Sequence, residues 1–368
     1  MLFKTISKKK KNAFWLKKVS CLSLLLALTM AFALFAGMPS KVLAANVTTL
    51  KIQTAWGGNL PILGDTLVVL AETVEKISGG QLKLKIYDPN KLAPTLEIFD
   101  AVSSGVIDGG WAFPGYWVGK NSAINLFAAT PFGPTADAAL AWYYKAGGME
   151  LWREIYGKFD VVPLLGGLNS PEAGGWFNKE IKSSADFKGL KVRWAGLGAN
   201  LVEALGASTA LIPAGEVVTS LQKGIIDGAE LGNPFLDKLF GMHKGGKYYY
   251  FPGWHQTFGA MELLINKTKW EQLTDQERTW LETAASVSTI HSLAIGASLQ
   301  ADAMEFFKQN NVQFRRYPDE VLQTLRDIMP EVMAKESEKN PDFKKVWESI
   351  RSFLDKYDVY GDLNNLSK

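Results

Sequence analysis

The feature that most restricts this chain is an internal repeat. Ile98-Phe-Asp-Ala-Val-Ser-Ser-Gly105-Val-Ile-Asp108-Gly109 is matched 119 residues later by Val217-Val-Thr-Ser-Leu-Gln-Lys-Gly224-Ile-Ile-Asp227-Gly228. In both copies an amphipathic helical stretch stops at glycine, and a short Val/Ile strand runs to an Asp-Gly pair. Upstream, Gly80-Gln-Leu-Lys-Leu-Lys-Ile86 is echoed by Gly189-Leu-Lys-Val-Arg-Trp194. Coincidence between two common helix–glycine–strand units is the competing reading. Taken as a repeat, the pattern predicts two similar α/β lobes, with a ligand cleft where the strand ends of both lobes face each other. The 368 residues agree, since single cores stop growing at roughly 250–300 residues.

The elements around the repeat fit that architecture. Leu50 to Trp56 reads as a strand, Leu60 to Ile77 as an amphipathic helix ended by Gly79-Gly80, Leu82 to Ile86 as an alternating strand, and Thr95 to Ser104 as a helix. Val161-Val-Pro-Leu-Leu165 and Met261-Glu-Leu-Leu-Ile265 read as paired crossover strands forming a hinge. Thr274-Asp-Gln-Glu277 is a capping box opening a helical pattern to about Gln309. At ~1.5 Å per residue that helix is roughly 50 Å long, enough to straddle both lobes. A last amphipathic helix begins at Asn340-Pro341 and packs on its own body or on a partner subunit. The expected division is a leader at 1–44, a first lobe with the straddling helix at 45–167 and 258–315, a second lobe at 168–257, and C-terminal helices at 316–368 offering a homodimer contact.

Residues 1–44 carry eight lysines and no acid, followed by an apolar run from Val19 to Met38 and the small-residue exit Val42-Leu43-Ala44. That order is a secretory signal, with an uncleaved anchor as the other reading. Cys21 opens the run without a lipobox. Removing the leader leaves 32 basic against 37 acidic residues, a net charge of −5 and no cysteine. No basic footprint for nucleic acid remains, and no disulfide or Cys-based zinc site can form. Phosphate loops, dinucleotide fingerprints and nucleophile elbows are also missing, which disfavours catalysis.

Seven arginines occur, and only Arg153 and Arg193 fall between residues 45 and 277. Arg193, in Leu190-Lys-Val-Arg-Trp194, is either a carboxylate fork at a cleft mouth or a solvated strand residue. Glu172, Glu230 and Gln256 come from three loops; they are either oxygen ligands for a hard cation such as Na⁺ or Ca²⁺ or ordinary loop residues. Trp111, Tyr116, Trp117 and Trp254 are core aromatics by default, with some lining a pocket.

The chain resembles the solute-binding proteins of tripartite ATP-independent periplasmic (TRAP) transporters, the DctP-like family, in the branch that binds 2-oxo and 2-hydroxy acids. The stretches carrying this are Leu96 to Gly105, Tyr116-Trp-Val-Gly-Lys120, Pro131-Phe-Gly133, Gly174 to Glu180, Asp186 to Arg193, Ser220 to Asp227 and Tyr248 to His255. The resemblance implies a two-lobed periplasmic-binding fold, hinge strands, a bracing helix and a membrane permease partner. It implies that Arg193 clamps the carboxylate and that a cation is held by Glu172, Glu230, Gln256 and the Leu231 carbonyl. Trp56, Gly115, Tyr116, Leu231 and Trp254 are carried over with Arg193, Glu172 and Glu230 as substrate contacts. This chain departs from the pattern in having Glu172 and Gln256 exchanged, in Leu231 where Trp is usual, and in Gly115-Tyr116 where a Tyr pair is usual. The expected protein is an extracytoplasmic carrier of a small organic carboxylate, in a periplasm or on a cell surface. An ABC-importer receptor, a secreted enzyme using Glu172, Glu230 and His255, and a ligand-free surface protein are the alternatives.

Overall fold

The structure is a computed structural model that describes residues 47–364; the leader proposed at 1–44 lies outside the described residues. Strands β1 (Thr48–Thr54), β2 (Leu82–Tyr87), β3 (Gly109–Ala112), β4 (Val161–Asn169) and β10 (Gly259–Asn266) form a first sheet in the order β2-β1-β3-β10-β4. A second sheet has the order β11-β9-β5-β8-β6-β7, from β5 (Gly175–Phe177), β6 (Lys191–Arg193), β7 (Ser208–Ala210), β8 (Gly228–Ala229), β9 (Tyr248–Phe251) and β11 (Gln313–Arg316). Helices flank both, as the alternating α/β pattern requires.

The repeat is real, and pairing fixes its register. β1 runs parallel to β2 and β3, and β3 is antiparallel to β10. β6 runs parallel to β7 and β8, and β8 is antiparallel to β5. Gly109 lies opposite Ile52, and its repeat partner Gly228 lies opposite Val192. Lys51 therefore matches Lys191, and Gln53 matches Arg193. This corrects the upstream echo: β6 takes the central place of β1, and β7 the outer place of β2. Two short alternating strands look alike in sequence, and only the register against the Asp-Gly strand separates them.

β4 and β10 pair antiparallel from Val161↔Asn266 to Asn169↔Gly259, with one irregularity at Met261/Glu262. There the long helix Asp275–Gln309, opened by the Thr274/Glu277 capping box, satisfies the strand. Ser288 Oγ donates to Gly166 O (2.6 Å) and Ser292 Oγ to Leu168 O (3.0 Å), while Leu168 N donates back to Ser292 Oγ. The helix also packs on the first-lobe helix Asp65–Ile77 and the second-lobe helix Pro234–Phe240, and its Phe307 is buried in the core of the second sheet. It straddles the two halves. β11 then joins the second sheet, so placing 258–315 wholly with the first lobe fails for its final residues; edge pairing with β9 captures them. The terminal helices Asp319–Lys339 and Pro341–Asn364 bury Val321, Leu325, Met333, Phe343, Val346 and Ile350 on the same body. No helix among the described residues is long and apolar enough to cross a membrane.

Candidate functional site

The parallel strands β6 and β8 end side by side, which is where an α/β lobe presents groups to a ligand. β6 delivers Arg193 and β8 hands on Glu230, both buried. Arg193 Nη1 donates to Glu230 O (2.6 Å) and Glu230 Oε1 (2.7 Å), and Nε donates to Ile212 O (3.3 Å). Glu230 Oε1 also accepts Ala195 N. No hydrogen bond among the described residues uses Arg193 Nη2, which leaves that edge of the fork for a ligand.

The crossover loops bring in the rest. Glu172 N donates to Gln256 O (3.1 Å), and a Cβ on Gly253 would lie 2.0 Å from Glu172 O. That close approach lets Glu172 meet two consecutive side chains. Gln256 Nε2 donates to Glu172 Oε1 (2.7 Å), and His255 Nε2 lies 3.2 Å from Glu172 Oε2 and 3.7 Å from Glu230 Oε2. Glu172, Glu230 and His255 form a compact group of potential ligand atoms, all within 4.8 Å.

The charges in this cluster govern one another. Burial, together with the neighbouring Glu230 carboxylate, raises Glu172 above the ordinary carboxylate range. Burial would also raise Glu230, but the Arg193 guanidinium, His255 and the Ala195 N–H outweigh it and hold Glu230 at about 2. Burial would lower His255, yet its contacts with the two carboxylates push it up to about 9. Two buried carboxylates facing one imidazole mark a place for positive charge.

Trp56, Leu63, Phe113 and Tyr116 from the first lobe close over this cluster and over Leu231, Leu236 and Phe240 from the second, leaving a chamber of about 60 Å³. At ~10–15 Å³ of such space per water, that is room for a molecule of a few heavy atoms. The chamber widens into a cleft mouth of about 610 Å³ through walls shared at Trp56, Tyr116, Arg193, Ala214 and Phe240.

Of the residues expected from sequence, Arg193, Glu172, Glu230, Leu231, Gln256, Tyr116 and Trp56 border this one chamber. Gly115 and Trp254 do not. Trp254 is core, stacked between Phe132 and Trp194 behind the edge of His255. Gly115 is covered by the ring of Phe113. Phe113, Leu63, Asn169, Phe240 and Met261 also line the chamber and went unread. Their inward direction comes from long-range packing and has no local signal. His255 was read only as a candidate base; its place between two carboxylates follows from the loop crossing at Gly253.

Comparison with known proteins identifies the family. Residues 53–340 match the family model described as bacterial extracellular solute-binding protein, family 7. The monocarboxylate 2-oxoacid-binding periplasmic protein of Nostoc sp. is 30% identical over 318 residues, covering 86% of this chain and 87% of the relative. A TRAP periplasmic solute-binding protein from Colwellia psychrerythraea, solved with calcium and pyruvate, superposes with a TM-score of 0.83 at 31% identity, covering 86% of this chain and 97% of that one. Another from Pseudoalteromonas atlantica, solved with sodium and pyruvate, gives the same four values. The chain belongs to family 7 of the bacterial extracellular solute-binding proteins and is a TRAP-type solute-binding protein.

Proposed function

We propose that this chain captures a small 2-oxo or 2-hydroxy monocarboxylate in the chamber between its lobes and delivers it to a TRAP permease in the membrane. The observation that carries this reading is the free edge of Arg193 in the chamber between the lobes, beside an oxygen-rich cluster. The guanidinium takes the carboxylate, and the rings of Trp56 and Tyr116 exclude water from the pair. The pyruvate bound by the Colwellia and Pseudoalteromonas proteins supports the ligand class.

The donor set fits a hard cation. The Glu172 and Glu230 carboxylates, the Leu231 carbonyl and, with its amide turned to present Oε1 in place of Nε2, Gln256 would all offer oxygens, the ligands Na⁺ and Ca²⁺ take. When bound, such a cation would supply positive charge for the carboxylate and the 2-oxygen of the acid. In this reading the exchange of Glu172 and Gln256 keeps two carboxylates and one amide in the set. A second reading rests on His255: its Nε2 already faces both carboxylates, and an imidazolium there would serve without a metal.

The reading includes export by residues 1–44, extracytoplasmic action, lobes meeting at the β4 and β10 crossovers, and a homodimer contact through the helices of 316–368. Native mass spectrometry and titration calorimetry of the secreted protein with pyruvate, before and after chelation, test it. Stoichiometric binding without turnover is expected, weakened by chelation and restored by Ca²⁺ or Na⁺. Chelation in sodium-free buffer without effect favours His255 as the cation. Turnover, or no binding of any 2-oxo acid, overturns the assignment.

A further inference from the structure

The first lobe's wall holds a feature that the carboxylate clamp leaves unexplained. Gly115 is buried in the turn Pro114–Trp117, and a Cβ there would stand 2.3 Å from Phe113 Cε1 and 3.0 Å from Cδ1 and Cζ. The Phe113 ring therefore fills the space of the side chain that Gly115 lacks. The same ring borders the chamber and meets Tyr116 edge-on, centroids 5.6 Å apart at 78°. The chamber's apolar lining also includes Leu63, Leu236 and Met261, and its charged lining residues are Glu172, Arg193 and Glu230. A second carboxylate on the ligand, pointing away from Arg193 and the cluster, would face the apolar wall. An apolar substituent against Phe113 would meet an aromatic ring.

We propose that Phe113, drawn back over Gly115, is the specificity wall that reads the substituent of the bound acid, admitting aliphatic substituents longer than methyl and refusing acidic ones. This rests on the binding of a 2-oxo monocarboxylate at Arg193. Any side chain at position 115 must move the ring, and the ring's open side is the chamber. Gly115→Ala shortens the space beyond the ligand's second carbon while leaving the clamp in place. Phe113→Ala lengthens it. A methylene in an apolar pocket is worth about tenfold or more in discrimination.

The test is calorimetry of the full secreted protein, as wild type, Gly115→Ala and Phe113→Ala, with pyruvate, 2-oxopentanoate and 2-oxoglutarate. Wild type should bind the first two and refuse the third. Gly115→Ala should lower 2-oxopentanoate affinity about tenfold relative to pyruvate, and Phe113→Ala should move that ratio the opposite way. Thermal melts of both variants separate a shifted wall from a lost fold. If Gly115→Ala does not fold, Phe113→Leu with the same ligands keeps the ratio measurable. Equal shifts for both acids, or tight binding of 2-oxoglutarate by wild type, overturn the proposal. Failure of wild type to bind any of the three overturns the underlying reading instead.

Discussion

Asp108 and Asp227 perform the same task in the two lobes. Asp108 Oδ2 accepts the backbone N–H of Lys51, and Asp227 Oδ2 that of Lys191, each at 2.9 Å. Their carbonyls also match, accepting Asn266 N (2.9 Å) and Asn178 N (3.0 Å). Each aspartate ties the central parallel strand of its sheet, β1 or β6, to the start of the neighbouring strand it leads into, β3 or β8. Asp108→Ala and Asp227→Ala should each cost about 1–2 kcal/mol, the worth of a partly exposed charge-assisted bond. The two lie in different lobes, so the losses should add in urea denaturation.

Arg193 is the counter-ion of Glu230 and, in the proposed function, also the carboxylate clamp. Sequence alone suggests that Arg193→Ala would lose ligand with the fold intact. The structure adds that Glu230 would then be buried beside a second carboxylate without its guanidinium, a loss of about 3–5 kcal/mol. Arg193→Met combined with Glu230→Gln should recover much of that stability and none of the binding. Melting curves and calorimetry on the pair check this; ligand affinity in the double variant would refute the clamp.

Glu262 sits at the irregularity of β10, fully buried, accepting Trp117 Nε1 at 2.6 Å. Burial, only partly offset by Trp117 and Tyr156, raises its carboxyl from 4.5 to about 8. The unfolded chain ionises first. Stability from this group is therefore whole below pH 4.5 and is lost as pH rises through about 8. Glu262→Gln should flatten that slope in melts between pH 5 and 9, relative to wild type.

Gly253→Ala should separate Glu172 from His255 and Gln256, because its Cβ would fall on the Glu172 carbonyl. Ligand affinity should fall by at least tenfold, about 1.4 kcal/mol. The opposing surface variant Gly157→Ala, with open space around its Cβ, is the control.

His255→Gln should leave Glu172 and Glu230 facing each other without an intervening imidazole. Its melting temperature should drop in chelator and recover with Ca²⁺ more than wild type does. An equal Ca²⁺ response in both proteins would remove His255 from the cluster's charge balance.

Much of this was legible in the chain. The Gly-x-Ile-Asp-Gly repeat and the Thr274/Glu277 box are local signals, and both lobes and the straddling helix follow from them. The helix read from Leu60 begins only at Asp65, because Gly64 passes against the Gly57 carbonyl, a contact no periodicity records. Arg193 was conspicuous by scarcity. Trp254 reads as core by default, and only the resemblance makes it a substrate contact; Phe113 is not readable, since which face of an aromatic turn points inward is decided by residues distant in sequence.

The match of Gln53 with Arg193 has a kinetic consequence. In the first lobe that position is a neutral staple: Gln53 Nε2 donates to Ala93 O, and Oε1 accepts Leu92 N and Ala93 N. In the second it is the charge. An arriving anion thus has its electrostatic partner on one half only, while the other half contributes rings. Capture should proceed in sequence, with docking on the charged half before the aromatic half swings over it. Stopped-flow traces of tryptophan emission should then give an observed rate that levels off as ligand concentration rises, and the plateau is the sum of the closing and reopening rates.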